Sequence, residues 1–274
     1  MPSISAQITH RVNARPPYGS NQVFVQLQNV FMNIKDSVVL ITGAAQRVGR
    51  AVALNLATQG AHIAFSYLDE GEPWARTLQE IQAQGVQAFA QQANVTRLDE
   101  VRALVEAASA AMGRIDILIN NASIWLKKPV LQITEAEWDA AMNVNTKGPF
   151  LMSQAVAPHM LQQGHGLIIN MTDLSAFQTW EGYAHHSASK AALVALTKVM
   201  ALEFAPTVRV NAIAPGTVLL PDDASAEKVN WAVSKSALKR VGTPDDVAHT
   251  VRYLIEEEFA TGSVYFVDGG RSLI

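Results

Sequence analysis

From residue 38 to the C-terminal end, short apolar runs alternate with longer segments of helical pattern, and few folds accept that order. The runs fall at residues 38–41, 61–67, 86–91, 115–119, 166–171, 209–213 and 263–267. They are nearly continuous in apolar residues rather than alternating, so both faces of each strand must be covered. Helical spacing fills residues 50–59, 73–84, 98–112, 134–163, 187–204 and 244–256. Gly60, Gly85 and Gly113 stand where helices should stop, and Thr134-Glu135-Ala136-Glu137 reads as a capping box. A strand that always returns through a helix predicts an α/β fold: a single doubly wound domain with a parallel sheet flanked by helices.

Composition narrows the function. Of 274 residues, 49% are apolar and 16% charged, enough to bury a large core. The net charge of −3 gives no reason to expect nucleic acid or an anionic membrane as partner. No run of apolar residues is long enough to span a bilayer. Cysteine is absent, which excludes disulfides, thiolate metal sites and a cysteine nucleophile, and fits a cytoplasmic location. No metal site is expected.

Residues 1–31 differ from the rest. They hold Arg11 and Arg15 but no Asp, Glu or Lys, with Pro16-Pro17 as a turn signal. They read as an N-terminal extension (a leader, a start placed upstream of Met32, or a tag-like segment), and residues 32–274 as the domain.

The first strand runs into Thr42-Gly43-Ala44-Ala45-Gln46-Arg47-Val48-Gly49. Gly43 permits a tight turn and Gly49 lets the helix start close to the strand. Free N–H groups at the start of that helix suit a pyrophosphate. Asn120-Asn121-Ala122-Ser123 follows the fourth strand, Asn145 the next capping box, and Lys190 lies in an Ala-rich helix. Pro215-Gly216 follows the sixth strand and Val267-Asp268-Gly269-Gly270 closes the chain. In order and spacing this set resembles the short-chain dehydrogenase/reductase family from about Lys35 to Ile274, a Rossmann fold. Three departures from the usual pattern resemble its pteridine reductase branch. Arg47 replaces the middle glycine of the turn, Ser123 with Trp125 two residues on replaces the last glycine of Asn-Asn-Ala-Gly, and Asp173 holds the usual serine position.

The resemblance implies a cofactor site at Gly43, Gln46, Arg47, Val48, Gly49, Ser66, Tyr67, Asn94, Val95, Asn121, Ala122, Ser123, Lys190, Pro215 and Gly216. Lys190 is expected to bridge the nicotinamide ribose. Trp125 and Tyr183 are expected to face the substrate, the indole stacking a planar bicyclic ring against the nicotinamide. NADP is expected over NAD, because the second strand ends at neutral Ser66 where an NAD enzyme usually places an acid, and Arg47 supplies charge. Asp69 and Glu70 follow closely and would repel a phosphate if they faced it. The Ala-rich helix is apolar on more than one face, which predicts a homo-oligomer, a tetramer by resemblance.

Hydride transfer to a C=O or C=N bond leaves negative charge that must be protonated. The family uses a tyrosine four residues before the lysine, on the same helix face. Counting back four from Lys190 gives His186, and Tyr183 lies one turn further. Three readings stay open. His186 is the acid, since an imidazole ordinarily titrates near 6.5; Asp173 protonates a ring nitrogen with Tyr183 or water completing the relay; or the site binds nucleotide without turnover. Asn145 is expected to hold a relay water. The leading function is therefore an NADPH-dependent reductase of a pterin or similar planar small molecule. The alternatives are reduction of a ketone such as a 3-oxoacyl thioester, or an inactive NADP(H)-binding sensor. A bare carboxylate at 173 argues against the ketone, because it would repel a developing oxyanion.

Overall fold

The computed structural model describes residues 32–221 and 223–274. The reading of residues 1–31 as an extension lies outside the described residues. Seven strands form one parallel sheet in the order β3-β2-β1-β4-β5-β6-β7. They are β1 (Val38–Ile41), β2 (His62–Tyr67), β3 (Ala88–Gln92), β4 (Ile117–Asn120), β5 (Gly166–Met171), β6 (Val208–Pro215) and β7 (Val264–Val267). The helices are α1 (Arg47–Thr58), α2 (Trp74–Gln82), α3 (Leu98–Met112), α4 (Glu135–Met142), α5 (Gly148–Gln163), α6 (Ala184–Glu203), α7 (Ala226–Ser234) and α8 (Pro244–Glu256).

The continuous apolar runs are explained by burial on both faces. In β1 and β4, Val39, Ile41, Ile117 and Ile119 pack with Val52 and Leu56 of α1 and Val251 and Leu254 of α8. The alternate residues Leu40 and Leu118 pack with Leu104 of α3 and Met152 and Val156 of α5 on the other side. Ile41 pairs with Phe65 of β2 on one side and Ile119 of β4 on the other. Strand order reverses between these neighbours, and a crevice opens there beyond the carboxyl ends of the strands.

Several boundaries lie a few residues from expectation, α6 among them, which begins at Ala184 rather than residue 187, and three differences have a local cause. Helix α1 begins at Arg47 rather than residue 50, and Arg47 itself takes φ 55°, a left-handed conformation at the bend where the chain enters the helix. The helix expected over 134–163 is split by a π-helical turn, Asn143–Lys147. Pro149 has no N–H to give the carbonyl of Asn145, so a regular ladder cannot run through this point. Instead the Gly148 N–H donates to the Asn143 carbonyl. Helix α7 was not expected: only Ala232 in it is buried, so no apolar stripe announces it. Its start is marked by Ser225, whose side chain accepts from the Lys228 N–H.

Candidate active site

A cleft of about 700 Å³ lies at the crevice, within the usual range for a small-molecule site. Gly43, Gln46, Arg47, Val48, Gly49, Ser66, Tyr67, Asn94, Val95, Asn121, Ala122, Ser123 and Trp125 all line it. Leu68, Glu72, Ala93, Ile124 and Val144 line it as well, although the sequence reading did not single them out. Pro215 and Gly216 close β6 outside this lining, where the Gly216 N–H donates to the Val267 carbonyl.

The residues present fit a dinucleotide. Helix α1 has no side-chain cap and no acid in its first turn, so its first N–H groups face the cleft free to meet an anion. The loop after β4 is drawn onto the turn: the Asn121 side-chain amide donates to the carbonyls of Thr42 and Gly43, both at 2.9 Å. Gly49 is required by this closeness, because a Cβ there would lie 2.5 Å from the Asn121 amide nitrogen and 2.7 Å from the Gly43 carbonyl.

At the far end of the cleft the acids are arranged differently from expectation. Asp69 accepts from the Gly71 N–H, and Glu70 accepts from the Tyr67 hydroxyl and the Trp74 indole N–H. Glu72 is the acid that faces the cleft, its Oε1 accepting from the N–H groups of Leu68 (2.8 Å) and Asp69 (3.0 Å). Arg47 is exposed at the cleft wall, with no carboxylate within ion-pair distance among the described residues.

The candidate proton donors meet in one place. Asp173 leaves β5 and caps the following turn, accepting from the N–H and hydroxyl of Ser175. His186 lies in the first turn of α6 and is 1% exposed. Its Nε2 is 2.7 Å from Asp173 Oδ2 and its Nδ1 3.1 Å from the Ile124 carbonyl. Nε2 thus faces a carboxylate, while Nδ1 lies between the Ile124 carbonyl and the Asn145 side-chain amide nitrogen, 3.4 Å away. Burial pushes the Asp173 carboxyl up, but the His186 hydrogen bond and the charges of Lys190 and His186 outweigh it and hold it below the ordinary value. His186 and Asp173, weighed above as rival donors, are one bonded pair.

Lys190 sits one turn along α6, buried, with Nζ donating to the Met171 carbonyl at 2.9 Å. Burial lowers its pKa and the Asp173 charge opposes that. Asn145, fully buried in the π-turn, accepts from the Ser123 hydroxyl and the Ile124 N–H. Its amide donates to the Ile124 carbonyl (3.1 Å) and to the Ser189 hydroxyl (3.0 Å). It therefore ties the post-β4 loop to α6 beside His186. Trp125 is 54% exposed, its ring centroid 4.5 Å from that of His186, 4.9 Å from Tyr183 and 5.7 Å from Trp180. Trp180, missed in the sequence, extends this aromatic wall. His185 packs inside, fully buried, with neither ring nitrogen hydrogen-bonded.

A doubly wound sheet, a nucleotide-shaped crevice at its strand-order reversal and a buried acid–base group beside it define a nicotinamide-dependent oxidoreductase. Comparison with known proteins places it further. A family model described as enoyl-(acyl carrier protein) reductase matches residues 43–272. The 3-oxoacyl-[acyl-carrier-protein] reductase FabG of Staphylococcus epidermidis is 36% identical over 236 residues, which is 84% of this chain and 97% of that protein. The (2S)-[(R)-hydroxy(phenyl)methyl]succinyl-CoA dehydrogenase subunit BbsD of Thauera aromatica is 36% identical, covering 88% of this chain and 99% of the relative. Among solved structures, a 7α-hydroxysteroid dehydrogenase complexed with NADH and 7-oxo glycochenodeoxycholic acid superposes with a TM-score of 0.83 at 30% identity, covering 88% of this chain and 96% of that one. The chain belongs to the short-chain dehydrogenase/reductase family and is an NAD(P)-dependent oxidoreductase. The relatives' names match the ketone-reductase alternative more closely than pterin reduction.

Proposed function

We propose that this enzyme reduces a carbonyl of the 3-oxoacyl thioester class, with the Asp173–His186 pair as its proton source. One observation carries the reading: the 2.7 Å contact between Nε2 and Oδ2, buried beside the cleft. The objection that a carboxylate repels a developing oxyanion is answered, because the Asp173 charge is met by His186 and by Lys190. The nucleotide, when bound, supplies a hydride. Reduction of the carbonyl carbon leaves an alkoxide, which takes the proton held between Nε2 and Oδ2. The pair regains its proton from solvent. The Ile124 carbonyl holds the imidazole in place throughout, and Asn145 holds that carbonyl.

A second reading is favoured by the aromatic wall of Trp125, Trp180 and Tyr183, which suits a planar heterocycle such as a pterin. Following NADPH absorbance with a β-keto thioester, dihydrobiopterin and dihydrofolate decides between the two. Cofactor binding with no turnover on any of them would leave only the sensor role.

NADPH is the proposed cofactor, on the strength of the unpaired Arg47; Glu72 works against it by holding the amides that a 2′-phosphate would reach. A cytoplasmic homotetramer is also proposed. Leu202 and Val199 of α6 and Leu161 and Phe150 of α5 are exposed, consistent with burial against other copies. No helix among the described residues is long and apolar enough to cross a membrane.

A further inference from the structure

Arg271 opens the short C-terminal 3₁₀ turn Arg271–Leu273. Its guanidinium carbon lies 4.9 Å from the ring centroid of Trp180 and 5.2 Å from that of Trp231 on α7. One arm donates to the Thr217 hydroxyl at 2.7 Å. Its backbone carbonyl accepts from the Gln178 side chain, which fastens the tail to the loop after β5. The residue is half-buried and lines a second cavity of about 320 Å³ with Thr217, Ser236, Phe266 and Asp268.

A half-buried guanidinium normally has a carboxylate partner, because desolvating the charge is costly. Among the described residues none lies within ion-pair distance of Arg271. The acids in its neighbourhood are occupied. Asp268 accepts from the N–H groups of Gly270 and Ser272, and Asp173 from Ser175 and His186. The other arginine of the cavity, Arg240, is neutralised by a two-point contact with Asp246, both at 2.8 Å. Two indoles and a hydroxyl thus hold in place a cation that no carboxylate touches among the described residues, although the charges of Asp268 and Asp173 reach it and favour it. It is also joined to the proton-donating pair through touching rings: Trp180 meets Trp125, and Trp125 meets His186.

We infer that Arg271 is a substrate-binding residue that receives an oxyanion, a phosphate or carboxylate, set back from the bond being reduced. The inference rests on the proposed reductase reading for its assignment to substrate, and it names what that substrate must carry. Planar, forked guanidinium geometry suits two-point recognition of either anion. Arginine over an indole keeps that fork fixed while leaving an edge open.

The test uses pairs of compounds that bring or lack the anion. Acetoacetyl-pantetheine 4′-phosphate is compared with acetoacetyl-pantetheine, and dihydrofolate with dihydrobiopterin. Binding to the full chain in saturating NADP⁺ is measured by titration calorimetry, and turnover separately by NADPH absorbance. In one pair the anionic member should bind about tenfold or more tightly. Arg271→Gln should remove that gap and leave the neutral member unchanged, while Arg271→Lys should keep part of it. Which pair shows the gap tells phosphate from carboxylate. The inference is overturned if neither pair shows a gap, or if the gap survives Arg271→Gln. It is equally overturned if Arg271→Gln weakens both members alike, which would make the arginine a prop for the tryptophans. A gap in binding without reduction of any compound would sink the reductase reading and leave the anion site standing.

Discussion

Exchanging residues 173 and 186 singly and together tests whether they work as one unit. His186 is 1% exposed and its Nε2 is already 2.7 Å from Oδ2. A tyrosine at 186 carries its hydroxyl beyond the position of Nε2, into the space the aspartate fills. His186→Tyr alone should therefore cost about 1–3 kcal/mol in overpacking. Asp173→Ser leaves a buried imidazole short of an acceptor. Removing one partner of a buried pair costs about 3–5 kcal/mol, and the 15% exposure of the Asp173 side chain, which admits some solvent, places this at the low end. The double variant removes the charge, opens room for the phenol and keeps a side chain able to cap the Ser175 N–H. Its stability should lie well above the sum of the single losses, with a coupling of about 2 kcal/mol or more. Denaturant unfolding gives the stabilities, and NADPH oxidation gives kcat/KM. Each single variant should lose about 100-fold in rate. The double variant should recover most of it, with the pH optimum moved upward, because a phenol ordinarily titrates near 10. Additive free energies with no recovery of rate would refute a bonded pair at the centre of the mechanism.

Cofactor choice should respond to the two charges in the cleft in opposite senses. Arg47→Ala should weaken NADPH more than NADH, by about 1–2 kcal/mol, while Glu72→Gln should strengthen NADPH relative to NADH; dissociation constants at two salt concentrations check both. Burial first, then the charge of His186, pulls the His185 pKa below its ordinary value, with Glu137 opposing. The folded state then binds fewer protons than the unfolded chain, so this residue's contribution to stability is full above about pH 6.5 and is lost as pH falls below it. His185→Leu should flatten that slope in unfolding measured from pH 7 to 5. The Asp173 carboxyl, held below its ordinary value, contributes stability above about pH 3.9 that is lost as pH falls through its folded pKa, and Asp173→Asn should lack that acid-side loss. Light scattering at micromolar concentration should give a multiple of the chain mass; a monomer would remove the tetramer proposal.

Most of the fold was legible because it rests on local signals. Buried parallel strands read as apolar runs, glycines punctuate the helices, and the first turn shows its phosphate-binding form in eight consecutive residues. Lys190 and His186 were placed on one helix face by spacing alone. The Asp173–His186 bond was not legible, since it joins a loop after β5 to the first turn of α6, and side-chain direction in a loop follows no period. Without it, His186→Tyr looks like simple restoration of the family pattern; the structure puts Asp173 in the way. Glu72 escaped notice for a similar reason: the chain folds back after β2, so the acid furthest from the strand is the one that faces the cleft. Arg271 carried no signal, because its setting between Trp180 and Trp231, with no carboxylate in ion-pair contact among the described residues, joins segments far apart in the chain.

The π-turn has a kinetic consequence. Val144 and Val95 both line the nucleotide cleft, and a Cβ on Gly148 would come within 2.8 Å of a Val95 methyl. Asn145, between Val144 and Gly148 in the chain, grips the Ile124 carbonyl that also holds the His186 ring. One wall of the cleft is thus the back of the scaffold that holds the His186 ring. On the proposed assignment of the cleft to the dinucleotide and of the proton to His186, filling the cleft would stiffen that scaffold first, so the two ligands are expected to enter in sequence, nucleotide first, with no hinged domain needed to enforce it.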